Sequence, residues 1–295
     1  MKKLSVFLVS LAGICWGLIG VFSKHLSGWG FSSIQITALR CIISSVLLGA
    51  YLFIFDRKKL KIKPSDIKYF IGTGIFSILF FNICYFITVD IVSLSVAAIL
   101  LYTAPSIIML LSIPLFREKL NKKKVTSLLL SFVGCILVTG IATGTSIPPF
   151  GIITGLCSGL GYALYTIFGR FALRKYHPFT VTFYTFMVAS IGSLFIFDIN
   201  GAFELFSQNH MSIIFVTALA TISTLVPFLC YTKGLEGMEA GTASIIACIE
   251  PMVSTIAGIT VFGEKLTITN FIGIFMIFTA VILINLNTDK QKNEL

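Results

Sequence analysis

A chain of 295 residues that is 56% hydrophobic and only 12% charged cannot cover the surface of a soluble domain, which carries roughly twice that charged fraction. The net charge of +10 does not indicate nucleic-acid binding, because the basic residues sit in short tracts between apolar runs, as topology signals do. The composition is that of a polytopic membrane protein, with the lipid bilayer as its solvent.

Runs of about 20 apolar residues separated by charged or turn-forming interruptions give ten expected spans: 4–23, 33–55, 68–88, 93–115, 125–142, 150–171, 179–198, 211–232, 240–262 and 268–287. The connections are mostly short, with no room for a soluble domain. The first run follows Lys2 and Lys3 but lacks a small-residue cleavage site and continues into Lys24-His25 and further spans, so it reads as a retained helix rather than a signal peptide. The tail Asp289–Leu295 is short, polar and expected to be disordered.

Alternate connections put 19 of the 22 Lys and Arg residues on one side of the ten-span arrangement, including Arg57 to Lys63 and Lys122 to Lys124. Only Lys24 and Lys265 fall on the other side, and Arg40 lies within a span. The positive-inside rule then places both termini in the cytoplasm and makes the number of spans even; the expected location of this multi-pass chain is the plasma membrane. The seven cysteines all fall inside expected spans and read as free thiols packed as small hydrophobes, with no disulfide framework and no metal site. No motif for a cofactor or for nucleophilic catalysis is present, so the chain is not read as an enzyme.

The sequence repeats once. Phe116-Arg-Glu-Lys-Leu120 returns as Phe262-Gly-Glu-Lys-Leu266 at an offset of 146, where Cys84-Tyr85 also meets Cys230-Tyr231 and Pro105 meets Pro251. Gly13-Ile-Cys-Trp-Gly17 meets Gly155-Leu-Cys-Ser-Gly159 at an offset of 142. This divides the chain into 1–146 and 147–295, five expected spans in each half, with the second half ending in the short cytoplasmic tail. Five is odd, so the second copy is inverted relative to the first. Inverted repeats supply two exchangeable structures around a midplane site, which is the architecture of alternating access.

Two five-helix repeats, Trp16-Gly17 in the first span, Arg40 in the second, and Pro followed by Glu-Lys-Leu at the ends of the fourth and ninth resemble the drug/metabolite transporter superfamily, EamA branch, over essentially the whole chain. The resemblance implies an all-α bundle of ten transmembrane helices around a central cavity, exporting amino acids or related small polar metabolites. It speaks to the fold more than to the cargo.

Within the spans, Glu250 is the residue that most needs explaining. It stands about ten residues into its span, near the midplane at 1.5 Å per residue, where an acid facing lipid costs several kcal/mol. It belongs to a stripe of small residues, Ala240, Ala243, Ala247, Ser254 and Ala257, that permits close helix approach or borders a cavity. One reading makes it a buried neutral acid bonded to a neighbouring helix. The other makes it a ligand for a substrate amine, for a proton or for Arg40.

Arg40, some seven residues into its span, either snorkels outward or offers its guanidinium fork to a carboxylate or phosphate in the cavity. The pair would suit a zwitterion. Trp16, Asn82, Tyr85, Tyr102 and Tyr231 complete the candidate substrate site. Tyr85 and Tyr231, repeat equivalents, line one cavity by symmetry or else anchor at the interface. Pro105, Pro227 and Pro251 are candidate hinges.

No cofactor is expected, proton coupling through Glu250 is left open, and so is the oligomeric state, a monomer included. The competing functions are export of lipophilic cations, which wants an acid without Arg40 nearby, and an intramembrane enzyme acting on lipid, for which no nucleophile and base pair is visible.

Overall fold

The computed structural model describes residues 2–140 and 148–286, and among these it is helical with no strand. The expected tail 289–295 and the connection around 143–147 lie outside the described residues. The first span divides into α1 (Lys2–Gly17) and α2 (Ile19–Gly28). The next helix, α3 (Ser33–Phe55), starts at a reciprocal cap in which the Ser32 hydroxyl accepts from the Gln35 N–H and the Gln35 side chain accepts from the Ser32 N–H. Two 3₁₀ turns, Arg57–Leu60 and Pro64–Asp66, lead to α4 (Ile67–Thr73), a π-helical segment Gly74–Leu79 and α5 (Phe80–Ile91).

A break at Tyr102 and Thr103 separates α6 (Leu94–Leu101) from α7 (Ala104–Phe116). Pro105 explains it: without an N–H it cannot donate to the Leu101 carbonyl. An Asn121 cap starts α8 (Lys122–Thr139). In the second half come α9 (Pro149–Leu173), α10 (Pro178–Ser193), α11 (Ile199–Gln208) and α12 (Met211–Ala220). A second π-helical segment, Thr221–Leu225, joins α12 to α13 (Val226–Glu236) just before Pro227. Cys248 separates α14 (Ala240–Ala247) from α15 (Ile249–Phe262), again three residues before a proline, and α16 (Ile268–Asn285) follows.

Eight helical stretches among the described residues are long and apolar enough to cross a membrane: Lys3–Gly28, Ser33–Phe55, Pro64–Ile91, Leu94–Phe116, Pro149–Leu173, Met211–Glu236, Ala240–Phe262 and Ile268–Asn285. The other two expected spans, 125–142 and 179–198, coincide with α8 and α10. The first opens with three lysines and the second has 16 residues, about 24 Å at 1.5 Å per residue against a hydrocarbon layer of roughly 30 Å. The connection 199–210 contains α11 instead of running as loop. Asp198 caps it by accepting from the Gly201 N–H at 3.0 Å, and the helix buries Ala202 while exposing Phe203.

Positions 146 residues apart share local geometry. The two π segments coincide, as do the two helix breaks. Arg117 (φ 55°) and Gly263 (φ 66°) both close their helices in the left-handed region. Beside them, the Glu118 N–H donates to the Ser112 carbonyl and the Glu264 N–H to the Gly258 carbonyl, each at 3.3 Å. Only glycine takes that conformation without a penalty of about 1–2 kcal/mol, so the first copy tolerates Arg117 where the second has the unstrained residue.

Small residues set the helix seams. A Cβ on Gly134 would lie 2.9 Å from the Gly273 carbonyl oxygen, and one on Gly273 would lie 2.7 Å from the Gly134 oxygen, so α8 and α16 pack backbone to backbone. Gly13 and Gly17 bring α1 against the α14/α15 break, while Gly155 and Gly159 bring α9 against the α6/α7 break. Between these seams lies an aromatic centre of Trp16, Tyr165, Phe186, Phe228 and Tyr231.

Candidate functional site

Glu250 is the second residue of α15, immediately past the break that Pro251 imposes. The break aims this helix start, and the carboxylate with it, at the facing break before Pro105. A cavity between the two breaks is lined by Tyr102, Ala104, Pro105, Tyr162, Ala247 and Glu250. Glu250, Tyr102, Tyr162 and Tyr85 keep some accessible surface although they stand inside apolar spans. Tyr162 donates its hydroxyl to Glu250 Oε2 at 3.2 Å, the one hydrogen bond to this carboxylate among the described residues. Tyr85 and Tyr102 are near enough to feel the Glu250 charge.

Arg40 is 7% exposed, so it does not reach outward to a membrane surface. Its Nη2 donates to Asn82 Oδ1 at 3.5 Å, the outer limit of a hydrogen bond, and the same oxygen accepts from the Thr37 hydroxyl at 3.3 Å. Asn82 is oriented by donating to the Ile78 carbonyl at 2.6 Å. Arg40 Nε has no partner among the described residues. Arg40 and Glu250 interact through their charges, yet they are not among the ion pairs within 4.0 Å. The guanidinium is therefore a buried cation held by one weak bond to a neutral amide, and an unsatisfied group of that kind costs about 1–3 kcal/mol or more.

Trp16 and Tyr231 fall together, but in the aromatic centre and not among the residues that line the cavity. The Trp16 ring meets Phe228, Tyr231 and Tyr162 with centroids 5.1, 5.2 and 6.4 Å away, and its Nε1 has no partner among the described residues. The Tyr231 hydroxyl is engaged with the Thr166 hydroxyl at 2.8 Å, and that of Tyr165 with Thr232 at 2.6 Å. Repeat symmetry does not carry Tyr231 to the place Tyr85 holds, because the partner side chains differ between the halves: Ala104 stands where the second half has Glu250. Pro105 and Pro251 follow the two helix breaks and Pro227 follows the second π segment. Among the described residues, no group of three His, Cys, Asp or Glu side chains is placed to hold a metal ion.

The family model described as EamA-like transporter matches the chain twice, over residues 3–140 and 149–286. The chain belongs to the EamA-like transporter family. It is similar to an uncharacterized transporter of Archaeoglobus fulgidus, 28% identical over 276 residues covering 93% of this chain and 94% of the relative. It is also similar to the uncharacterized transporter YxxF of Bacillus subtilis, 28% identical over 289 residues covering 96% and 89%. A solved crystal structure superposes with a TM-score of 0.80 at 17% identity over 100% of both chains, a likeness of fold. The EamA fold seen here is thus, among the described residues, an all-helical membrane protein whose two family segments both line one cavity, the first with Tyr102 and Pro105 and the second with Tyr162 and Glu250.

Sequence reading overlooked Tyr162, which carries the direct bond to Glu250. Its signal was present: a tyrosine in mid-span, three residues beyond Gly159 in the small-residue ridge. The Tyr165, Thr166 and Thr232 network was also missed, since hydroxyls spaced by a helical turn look like ordinary span residues.

Proposed function

We propose that this EamA protein is a secondary transporter that exports amino acids or related small polar metabolites by alternating access. Ten helices cross the membrane, α8 and α10 included, as two inverted five-helix repeats, 1–146 and 147–295, with both termini in the cytoplasm and the chain in the plasma membrane. One observation carries the reading: a partly accessible Glu250 carboxylate, bonded among the described residues to Tyr162 alone, faces a tyrosine-walled cavity within charge range of the under-partnered Arg40.

A substrate ammonium group sits at Glu250 among Tyr85, Tyr102 and Tyr162, where carboxylate and ring faces both favour a cation. The substrate carboxylate reaches Arg40, held in place by Asn82. Binding supplies the missing partner of the guanidinium, so the site prefers a zwitterion over a lone cation. Trp16 and Tyr231 form the floor beneath it. Glu250 holds the substrate cation and a proton in turn during the cycle, which needs no cofactor, and the hinges are the breaks before Pro105 and Pro251 and the π segment before Pro227. The partners are the substrate and the bilayer, and a single chain suffices.

A second reading, export of lipophilic cations, draws on the three tyrosines and on the lack of a direct Arg40–Glu250 ion pair. Counterflow of labelled amino acids in proteoliposomes under set pH gradients separates the two. Zwitterion transport abolished by both Glu250→Gln and Arg40→Gln supports the bipolar site, and pH dependence lost in the Glu250 variant supports proton coupling. Full activity in both variants would refute it, and cation transport that survives Arg40→Gln would favour the second reading.

A further inference from the structure

The repeated Phe-x-Glu-Lys-Leu motif has two very different environments. Glu118 of the first copy is 8% exposed. Its Oε1 accepts from the Ala240 N–H at 2.7 Å and its Oε2 from the Gly241 N–H at 3.3 Å, so it caps the first turn of α14, a helix of the other half. Helix starts leave such N–H groups unpaired and favour an anion there. Lys124 completes the clasp. Its Nζ lies 3.7 Å from Glu118 Oε2 and 2.7 Å from Glu239 Oε2, and it donates to the Lys119 carbonyl at 2.9 Å. Arg170 adds bonds to the Leu235 and Met238 carbonyls in the segment that leads into α14. At this end the start of α14 is buried and α7 lies along it.

At the opposite end the equivalent parts are apart. Glu264 has 58% of its side chain exposed, lies 3.6 Å from the equally exposed Lys24, and folds its carboxylate back over Gly258 of the preceding helix, α15. The helix start it would cap by the 146-residue offset is that of α6, at Leu94 and Ser95. There Ser93 and Leu94 are exposed, and among the described residues the Ser93 side chain alone caps the turn, accepting from the Val96 N–H at 3.3 Å. No hydrogen bond joins Glu264 to α6 among the described residues. The local turn at both glutamates is the same, down to the equal 3.3 Å bonds that close it, so a difference in backbone geometry does not explain the contrast.

We propose that Glu118 and Glu264 are alternating latches: Glu118 on the start of α14 closes the cavity at one end, and release of this contact lets Glu264 cap the start of α6 and close the other. Both are positioning residues, acting through α14 and α6, which run into the helix breaks beside Glu250 and at Tyr102. The latches are unequal, because the place of Lys124 is taken by Asn270, which is committed to the Thr267 cap and the Val138 carbonyl. The extra charge pairing biases the resting protein toward the form seen here, shut at the Glu118 end. This inference rests on the alternating-access reading above, and the test separates their failures.

In a variant with all seven cysteines replaced by alanine, Glu264→Cys is paired with Leu94→Cys in membrane vesicles and oxidised with copper phenanthroline. The expected result is a cross-link, formed when the outer parts meet, after which Ala247→Cys in the cavity is labelled by an impermeant maleimide only from the Glu118 side. If Ala247→Cys is labelled in turn from both sides but the 264/94 pair never cross-links, alternating access stands and the latch is wrong. If it is never labelled from the Glu118 side, both fail.

In the chain with its native cysteines, hydrogen exchange gives an independent reading. E118Q should speed exchange at residues 239–242 by about tenfold or more, the scale of one charge-assisted bond, and slow it at 93–96. A purely local loss of a cap would speed the first without slowing the second, and that outcome would overturn the coupling.

Discussion

Gly17→Ala and Gly20→Ala, one turn apart on the same side of the first span, should differ sharply in their effects on stability. A Cβ at Gly17 would lie 2.6 Å from Val253 Cβ, 2.8 Å from the Glu250 carbonyl oxygen and 2.8 Å from Val253 Cγ1. Carbon atoms in contact prefer separations of about 3.5–4.0 Å, so α1 and α15 would have to part by ~0.9 Å. None of the three atoms can swing away, since one is backbone and the others sit on a β-branched side chain. Overpacking of this kind costs about 3 kcal/mol at the upper end of its usual range, offset by up to ~1 kcal/mol from the better helix propensity of alanine.

The net loss is ~2 kcal/mol, a factor of about 30 in the folding constant. At Gly20 the nearest atom is Ser254 Oγ at 3.8 Å, an ordinary contact, so alanine there is neutral or stabilising by up to ~1 kcal/mol. Thermal unfolding of the purified protein in detergent, followed by retention on size exclusion, measures both. Because the Glu250 carbonyl is one of the clashing atoms, Gly17→Ala should also depress transport further than its stability loss explains. Equal melting temperatures for the two variants would refute the packing argument.

Tyr162→Phe removes the one hydrogen bond to Glu250 among the described residues and should weaken substrate binding about tenfold or more, as loss of a bond to a charged group does, with the melting temperature little changed; counterflow titration reads it. Thr73→Val leaves the buried Thr185 hydroxyl without the partner it holds at 2.6 Å, costing about 1–3 kcal/mol, whereas the double change to Val at both sites should recover much of that loss because neither polar group is stranded. Thermal melts of the single and double variants provide the comparison. Lys175 binds Asp66 at 2.7 Å, and that hydrogen bond raises its pKa above the ordinary 10.5. A raised pKa gives stability that is complete below the unfolded value and lost as pH climbs through the folded one. The stability difference between wild type and Lys175→Met should therefore be flat from pH 6 to 9 and shrink above about pH 10.5.

The family and the apolar helices were legible in the sequence because both depend on local signals: run length, the 146-residue repeat and the prolines at positions 105, 227 and 251. Glu250 stood out because a charge inside an apolar run needs a reason. Tyr162 did not, since a mid-span tyrosine satisfies either a cavity or a helix seam, and only tertiary geometry selects its partner. The fate of Arg40 was also beyond the sequence. Spacing places it within reach of the outer boundary, but its burial against Asn82 depends on how α3 and α5 pack. The π segments went unforeseen for a related reason: Pro227 hints at the second, but the first has Phe81 at the equivalent place and rests on contacts of Gly74 with the α10 backbone.

Each π segment also sets the phase of the residues beyond it. One residue more than an α-helical turn rotates everything downstream by about 100° around the axis. Thr73, before the first segment, is thereby free to meet Thr185 on α10 while Asn82 and Tyr85, after it, turn toward Arg40 and Glu250. Deleting a single residue within 74–79 would restore a regular helix of unchanged hydropathy and carry Asn82 and Tyr85 around to other neighbours. Length in these two short segments thus decides which side chains the downstream helices turn toward the interior, and related chains that differ there by one residue would present different side chains to it.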